Sequence, residues 1–175
     1  VIHAVKSGLD PLGSSTGSAV AVAAGIVPMA VGTDTSHSIT ACAMGNGICG
    51  LKPPAGVLSQ EGIIPISKTF DSAGAMAQNV SDTLKLYSAM RDEPLPEITQ
   101  TPAGKLRISV NIANANMNPQ ERRKYLDGVI ETLRNNGVVI SEVNQPPTPE
   151  LPSIMKREFG TGLEAYLIKS GAKLK

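Results

Sequence analysis

An α/β fold is predicted, and three observations in the sequence carry that prediction. A small-residue helical pattern leads straight into a short apolar run, Ile26 to Gly32. Leu106 to Ile112 and Val138 to Val143 flank a periodic helical stretch, and a strand, a helix and a second strand joined by short links favour a parallel pair. Asn79 to Met90 adds another amphipathic helical pattern between them. At 175 residues the chain is long enough for one domain with its own hydrophobic core. It is read as a single domain over 1–175, with a core motif region at about 10–90 and a βαβ-like region at about 104–175.

Ser14 to Ala24 begins with hydroxyl residues, continues with small helix-compatible ones and stops at Gly25, the pattern of a capped, tightly packed, buried helix. Ile26 to Gly32 suits a buried strand that delivers the polar loop Thr33 to Ser38 into the interior. In the next helix Val80, Leu84, Tyr87 and Met90 recur on one face behind an Asn79 or Ser81 cap. Arg91 to Gly104 carries three prolines and reads as a linker, after which Leu106 to Ile112 alternates as a strand should. Asn118 and Pro119 supply a cap and first turn, Tyr125, Leu126, Val129, Ile130 and Leu133 share a helical face, and Gly137 supplies the stop before Val138 to Val143. A last helix is expected from Ser153 to about Ser170.

Sixteen basic residues against fifteen acidic ones leave a net charge of +1 with no block of like charge, which argues against nucleic acid or anionic lipid as a partner. The longest apolar stretch, Ala19 to Gly32, is interrupted by Pro28 and falls short of the ~20 residues a bilayer needs, so no membrane span is expected. Cys42 and Cys49 form no CxxC pair and have no histidine cluster near them. They are expected to be small buried hydrophobes, and neither a metal site nor a cofactor is predicted. No export signal is read at the start of the chain, and a cytoplasmic location is the expectation.

The chemistry concentrates in two loops rich in hydroxyls and glycine, GSSTGS at Gly13 to Ser18 and GTDTSHS at Gly32 to Ser38. A Walker-type phosphate cradle needs GxxxxGK[ST], and neither loop contains lysine. Gly13 to Gly17 fits the GxSxG of a nucleophile elbow with Ser15 at its centre, and Asp34 and His37 would complete a serine-hydrolase set. The segment before Gly13 is no buried strand, however, and Asp34 and His37 share one short loop. A third use is acyl transfer, in which a loop carries the nucleophile and successive backbone N–H groups stabilise the oxyanion. On their own, Ser14 and Ser15 also fit a plain helix cap, Ser38 a loop hydroxyl and Asp34 a turn former.

The segments GSSTGSAVAVAAG, VGTDTSHSIT, GICGLKPPAGVLSQEGIIPIS and TFDSAGAMAQNVSD occur in this order and spacing. Together they resemble the amidase signature family, whose members show runs like GGSSGGS, GTDTGGSIR, GLKPT and DxxGPMARTVxD. The resemblance covers Asp10 to about Met90 and extends through LRISV, VVISEV and REFGTGLEAYL. It implies a mixed sheet core flanked by helices, present here in part, and hydrolysis of a small-molecule carboxamide through a serine acyl-enzyme. Ser38 matches the family's nucleophile. Ser14, 24 residues earlier, matches the bridging serine, which lies in a cis peptide unit and relays a proton between nucleophile and lysine. The backbone N–H groups of Thr35, Ser36, His37 and Ser38 match the oxyanion hole, with Asp34 and Ser15 in support. Lys52 matches a common family element but not the catalytic lysine, and the resemblance implies no cofactor.

The family's lysine lies upstream of the first serine-rich loop, in a stretch this chain does not contain, and the family's members are longer. The chain is therefore read as an internal fragment, with the base supplied by the remainder of the polypeptide or by a homo-oligomer partner. Ser36 and His37 stand where the family has two glycines. If residue 37 needs a positive φ, histidine costs on the order of 1–2 kcal/mol there. Thr40 and Cys42 replace a frequent arginine and proline, and Ala75 replaces the proline of GPMA. Two other functions fit the same motifs: the glutaminase-like, A-type component of a tRNA-dependent amidotransferase, and a catalytically inactive amidase-fold scaffold.

Overall fold

The computed structural model describes residues 10–95, 101–111, 119–143 and 150–172. The expected Asn118 cap, the strand end at Ile112 and the side chain of Tyr125 lie outside the described residues. In chain order the elements are helix α1 (Thr16–Ala23), strand β1 (Met29–Asp34), helix α2 (Thr40–Asn46) and strands β2 (Cys49–Leu51) and β3 (Ser72–Ala77). Helix α3 (Val80–Ala89), a 3-10 turn (Ala103–Lys105), strand β4 (Arg107–Asn111), helix α4 (Pro119–Asn135), strand β5 (Val139–Val143) and helix α5 (Leu151–Lys169) follow. The fold is α/β, as predicted. It comprises two compact units, one running to Leu95 and resuming at Glu150, the other from Pro96 to Pro149.

The first unit is built on an antiparallel sheet in the order β1-β3-β2. Every residue of the central strand β3 is buried. Met76 packs with Ala19 of α1, Cys42 of α2 and the intervening Ile39, while Ala73 and Ala75 pack on the other side with Leu58 and Tyr87. Because both faces are covered, the sequence SAGAMA shows no apolar–polar alternation, and the strand was not foreseen. Its small residues let neighbouring strands close in: a Cβ on Gly74 would lie 2.1 Å from the Leu51 carbonyl oxygen.

Helix α1 starts two residues later than expected, and Gly25 at φ 71° ends it as predicted. Asn79 caps α3, its side-chain oxygen accepting from the Asp82 N–H at 2.9 Å. The buried face of α3 differs from the predicted one at two positions. Tyr87 is buried and Leu84 and Met90 are half-buried as expected, but Val80 is 64% exposed, and Thr83 is buried instead. Thr83 tolerates burial because its hydroxyl donates to the Asn79 carbonyl one turn back, at 2.8 Å.

In the second unit β4 and β5 pair in parallel from Arg107↔Val139 to Asn111↔Val143, joined by α4 as the strand–helix–strand pattern required. Among its described residues, Ile130 and Val138 are buried; Val129, expected on the same face, is 42% exposed. Helical spacing explains this, since Leu126, Ile130 and Leu133 form one stripe that leaves Val129 at its edge.

Candidate active site

The first serine-rich loop is stitched to the end of β1. The Ser15 hydroxyl donates to the Thr33 carbonyl at 2.8 Å and accepts from the Thr33 N–H at 3.1 Å. Ser15 sits at the N-cap position of α1 yet makes no side-chain bond to that helix, so its hydroxyl serves the strand instead of the cap. Gly32 is what allows the approach, because a Cβ there would come within 2.9 Å of the Ser15 Oγ. One turn along α1, the Ser18 hydroxyl donates to the Val31 carbonyl at 2.7 Å. The Ser15 N–H reaches the Ser38 carbonyl at 3.4 Å, which sets the two serine-rich loops against each other. The Gly13–Ser14 peptide is cis, the isomer expected above. The Ser14 side chain is exposed and Ser38 is half-buried.

Asp34, only 1% exposed, organises the second loop. One carboxylate oxygen, Oδ2, accepts from the N–H groups of Ile39 at 2.7 Å and Thr40 at 3.3 Å. Ile39, the N-cap of α2, has no capping side chain of its own. Asp34 therefore caps this short helix from the end of the preceding strand and pins both ends of loop 35–38. Its other oxygen, Oδ1, is buried and has no hydrogen-bond partner among the described residues. The Thr35 hydroxyl is buried against Asp71, donating to Oδ1 at 2.6 Å. Ser36 and His37 are exposed, with the Ser36 Oγ 2.9 Å from the His37 Nδ1. Neither residue adopts a positive φ, so the strain anticipated at His37 does not arise. Among the described residues, the N–H groups of Ser36, His37 and Ser38 donate to no other group. Such free donors beside a serine hydroxyl suit an oxygen that gains negative charge.

The supporting residues that sequence reasoning missed lie in segment 66–71 and on α5. Asp71 belongs to the quoted TFDSAGAMA run, but nothing in that run discloses that its carboxylate holds Thr35 on one side. On the other side, Oδ2 accepts from the N–H groups of Ile66 at 2.8 Å and Ser67 at 3.0 Å. Glu158 of α5 accepts from the Thr69 N–H at 3.0 Å, the Thr69 hydroxyl at 2.6 Å and the Ser67 hydroxyl. Hydrogen bonds from Ser67 first, then Thr69, hold its carboxyl below the usual 4.5, at about 2, so it is ionised at neutral pH. Lys52 donates to the Phe70 carbonyl at 3.4 Å and takes no visible part in the loops that carry Ser14 and Ser38. Cys42 is buried in the core as expected, and burial raises its thiol pKa; Cys49 is half-buried. Among the described residues no group of three or more His, Cys, Asp or Glu side chains is placed to hold a metal ion, and no helix is long and apolar enough to cross a membrane.

Comparison with known proteins places the geometry in context. The family model described as Amidase matches residues 1–168. A probable amidase of Arabidopsis thaliana is 32% identical over 90% of this chain and 35% of its own length. A glutamyl-tRNA(Gln) amidotransferase subunit of Novosphingobium aromaticivorans is 37% identical over 90% of this chain and 36% of its own. Among solved structures, the native peptide amidase from Stenotrophomonas maltophilia superposes with a TM-score of 0.78 at 30% identity, covering 99% of this chain and 40% of that one. The chain thus spans little more than a third of the length of the relatives it matches.

Proposed function

The chain belongs to the amidase family, and from that premise we propose that the polypeptide carrying it is an amidohydrolase that cleaves a small-molecule carboxamide through an acyl-enzyme on Ser38. The observation that carries the reading is the contact from the Ser15 N–H to the Ser38 carbonyl, which sets the Ser14 loop against a serine whose own N–H and those of the two residues before it are unengaged. In this reading a lysine from outside the chain, or from a second copy, takes a proton from Ser14 as Ser14 takes the proton of the Ser38 Oγ. The Ser38 oxygen then attacks the amide carbon, and the carbonyl oxygen becomes an oxyanion facing the N–H groups of Thr35, Ser36, His37 and Ser38. Collapse breaks the C–N bond, and the departing amine or ammonia takes its proton back from Ser14. Water, deprotonated by the same relay, hydrolyses the ester and restores Ser38. Asp34 and Ser15 hold the two loops in place and touch no reacting atom. The two units are taken as parts of one amidase domain, and the free thiols Cys42 and Cys49 fit a reducing, cytoplasmic setting.

A fluorophosphonate probe applied to the complete polypeptide, with the adduct located by mass spectrometry, tests the proposal. Labelling at Ser38 is the expected result; an intact fold with no adduct there would point to an inactive scaffold. A second reading, the glutamine-hydrolysing component of a tRNA-dependent amidotransferase, is favoured by the similarity to glutamyl-tRNA(Gln) amidotransferase chains. It predicts ammonia release from glutamine in preference to simple aliphatic amides, which an ammonia assay on both substrates decides.

A further inference from the structure

We infer that Glu158, on α5, is a positioning residue for the loop that carries the oxyanion donors, acting through Ser67, Thr69 and Asp71; the inference rests on the amidohydrolase reading above. Two carboxylates grip the same short segment. Glu158 takes the Ser67 hydroxyl and both donors of Thr69, the hydroxyl at 2.6 Å and the N–H at 3.0 Å. Asp71 takes the N–H groups of Ile66 and Ser67 with one oxygen and the Thr35 hydroxyl with the other. Ser67 is the shared member, fully buried, giving its side chain to Glu158 and its backbone to Asp71.

The segment between the two carboxylates is closed on itself. The Ser67 carbonyl accepts from the N–H groups of Phe70 at 3.1 Å and Asp71 at 2.8 Å. A displacement of Ser67 is therefore passed to Asp71 instead of being absorbed by a slack loop. Asp71 passes it to Thr35, the first residue of the oxyanion loop. Glu158 is ionised at neutral pH, with both oxygens acting as acceptors, so it meets all three donors at once. No residue of α5 needs to approach Ser38 for the helix to bear on the reaction.

The competing view is that Glu158 only fastens α5 to the unit. The helix has a second fastening, Lys169 to Glu61 at 2.5 Å, and that pair has no hydrogen bond to Asp71 or Thr35. It supplies the control. In the complete polypeptide, Glu158→Ala, Glu158→Gln and Lys169→Ala are compared by amide hydrolysis, by the rate of fluorophosphonate labelling and by amide hydrogen exchange over residues 34–40. Glu158→Ala is expected to lower kcat and the labelling rate about tenfold or more with KM held within about twofold, since misplacement of an oriented group affects the transition state more than binding. Exchange over 34–40 should quicken in the same variant. Glu158→Gln keeps one acceptor oxygen and should fall between Glu158→Ala and the parent, while Lys169→Ala should leave kcat and the exchange unchanged.

Equal kcat and exchange in Glu158→Ala and the parent would overturn the inference, as would Lys169→Ala reproducing the loss. Should Glu158→Ala fail to fold, Thr69→Val removes one of the three donors and carries the same comparison. If the parent itself shows no adduct at Ser38, the amidohydrolase reading falls, while exchange over 34–40 still decides whether Glu158 positions the loop.

Discussion

In the strand–helix–strand unit, Thr132, Asn136 and Ser109 form side-chain hydrogen bonds within one helix turn or between paired strands. Thr132 and Asn136 each bond back four residues, and Ser109 to Ser141 crosses the paired strands. The unit with the serine-rich loops has local bonds too, such as Asn79 with Asp82, but it adds bonds that join distant segments. Ser15 reaches Thr33 across 18 residues, Thr35 reaches Asp71 across 36, and Ser67 reaches Glu158 across 91. The difference follows from composition. Small residues let backbones approach closely but offer little apolar bulk to fix them, so hydroxyls and carboxylates define the loop positions. Substitution in that unit should therefore disturb chemistry and packing together, whereas in the other unit it should register mainly as local helix or strand preference.

The largest effect is expected at Ser38. Ser38→Ala should lower amide hydrolysis at least about 10⁴-fold in kcat while the fold is kept, because loss of a nucleophile removes the covalent route. Steady-state kinetics alongside circular dichroism check it, and a variant that keeps the parent's rate would remove the reason for treating this unit as the chemical one. Next comes Gly74→Ala, whose methyl would meet backbone at 2.1 Å and the Ile39 Cδ1 at 2.7 Å. The main obstacle is a strand carbonyl that cannot rotate away, so a loss of about 3 kcal/mol or more is expected. Chemical denaturation measures it; a loss under about 1 kcal/mol would mean the sheet yields more readily than its close packing implies.

Asp71→Asn sharpens the comparison by separating chemistry from packing. The amide keeps a single acceptor oxygen, so either the Thr35 hydroxyl or the pair of N–H groups at Ile66 and Ser67 loses its acceptor. A drop of about 10²-fold in kcat is expected, similar to the loss of one oxyanion donor. KM should change little, which a full saturation curve resolves. A rise in KM with kcat intact would move Asp71 from loop positioning to substrate binding.

The same contrast explains what could be read from the sequence. The second unit was legible nearly whole, because Leu126, Ile130 and Leu133 repeat at helical spacing and β4 alternates along its length. In the first unit the motifs singled out Ser14, Asp34 and Ser38 as candidates, yet α2, β2 and β3 went unseen. Helix α2 lacks a cap of its own because Asp34, outside the helix, provides one, and β3 lacks a polar face because both sides are covered. Ser15 looked like a cap and is a strand clamp. Glu158 lies in the REFGTGLEAYL run, but nothing in that run discloses its role, since its partners Ser67 and Thr69 lie 91 and 89 residues away.

The smallest effect tests the other side of the comparison. Gly128 lies in the middle of α4, on an exposed surface, and a Cβ there would meet nothing within 4 Å. It has no positive φ that would demand glycine. Its carbonyl accepts from the Thr132 hydroxyl at 2.8 Å, a bond that a methyl group on the Cα leaves in place. Gly128→Ala should then stabilise the unit by about 0.5–1 kcal/mol, chiefly by narrowing the conformations open to the unfolded chain. Amide exchange along α4 reads that gain locally, without requiring the whole polypeptide to unfold in one step. Activity should stay at the parent's level. If the same substitution that wrecks the sheet at Gly74 also destabilises here, the second unit must depend on close approach at α4, and the division between locally and distantly held backbone would have to be redrawn.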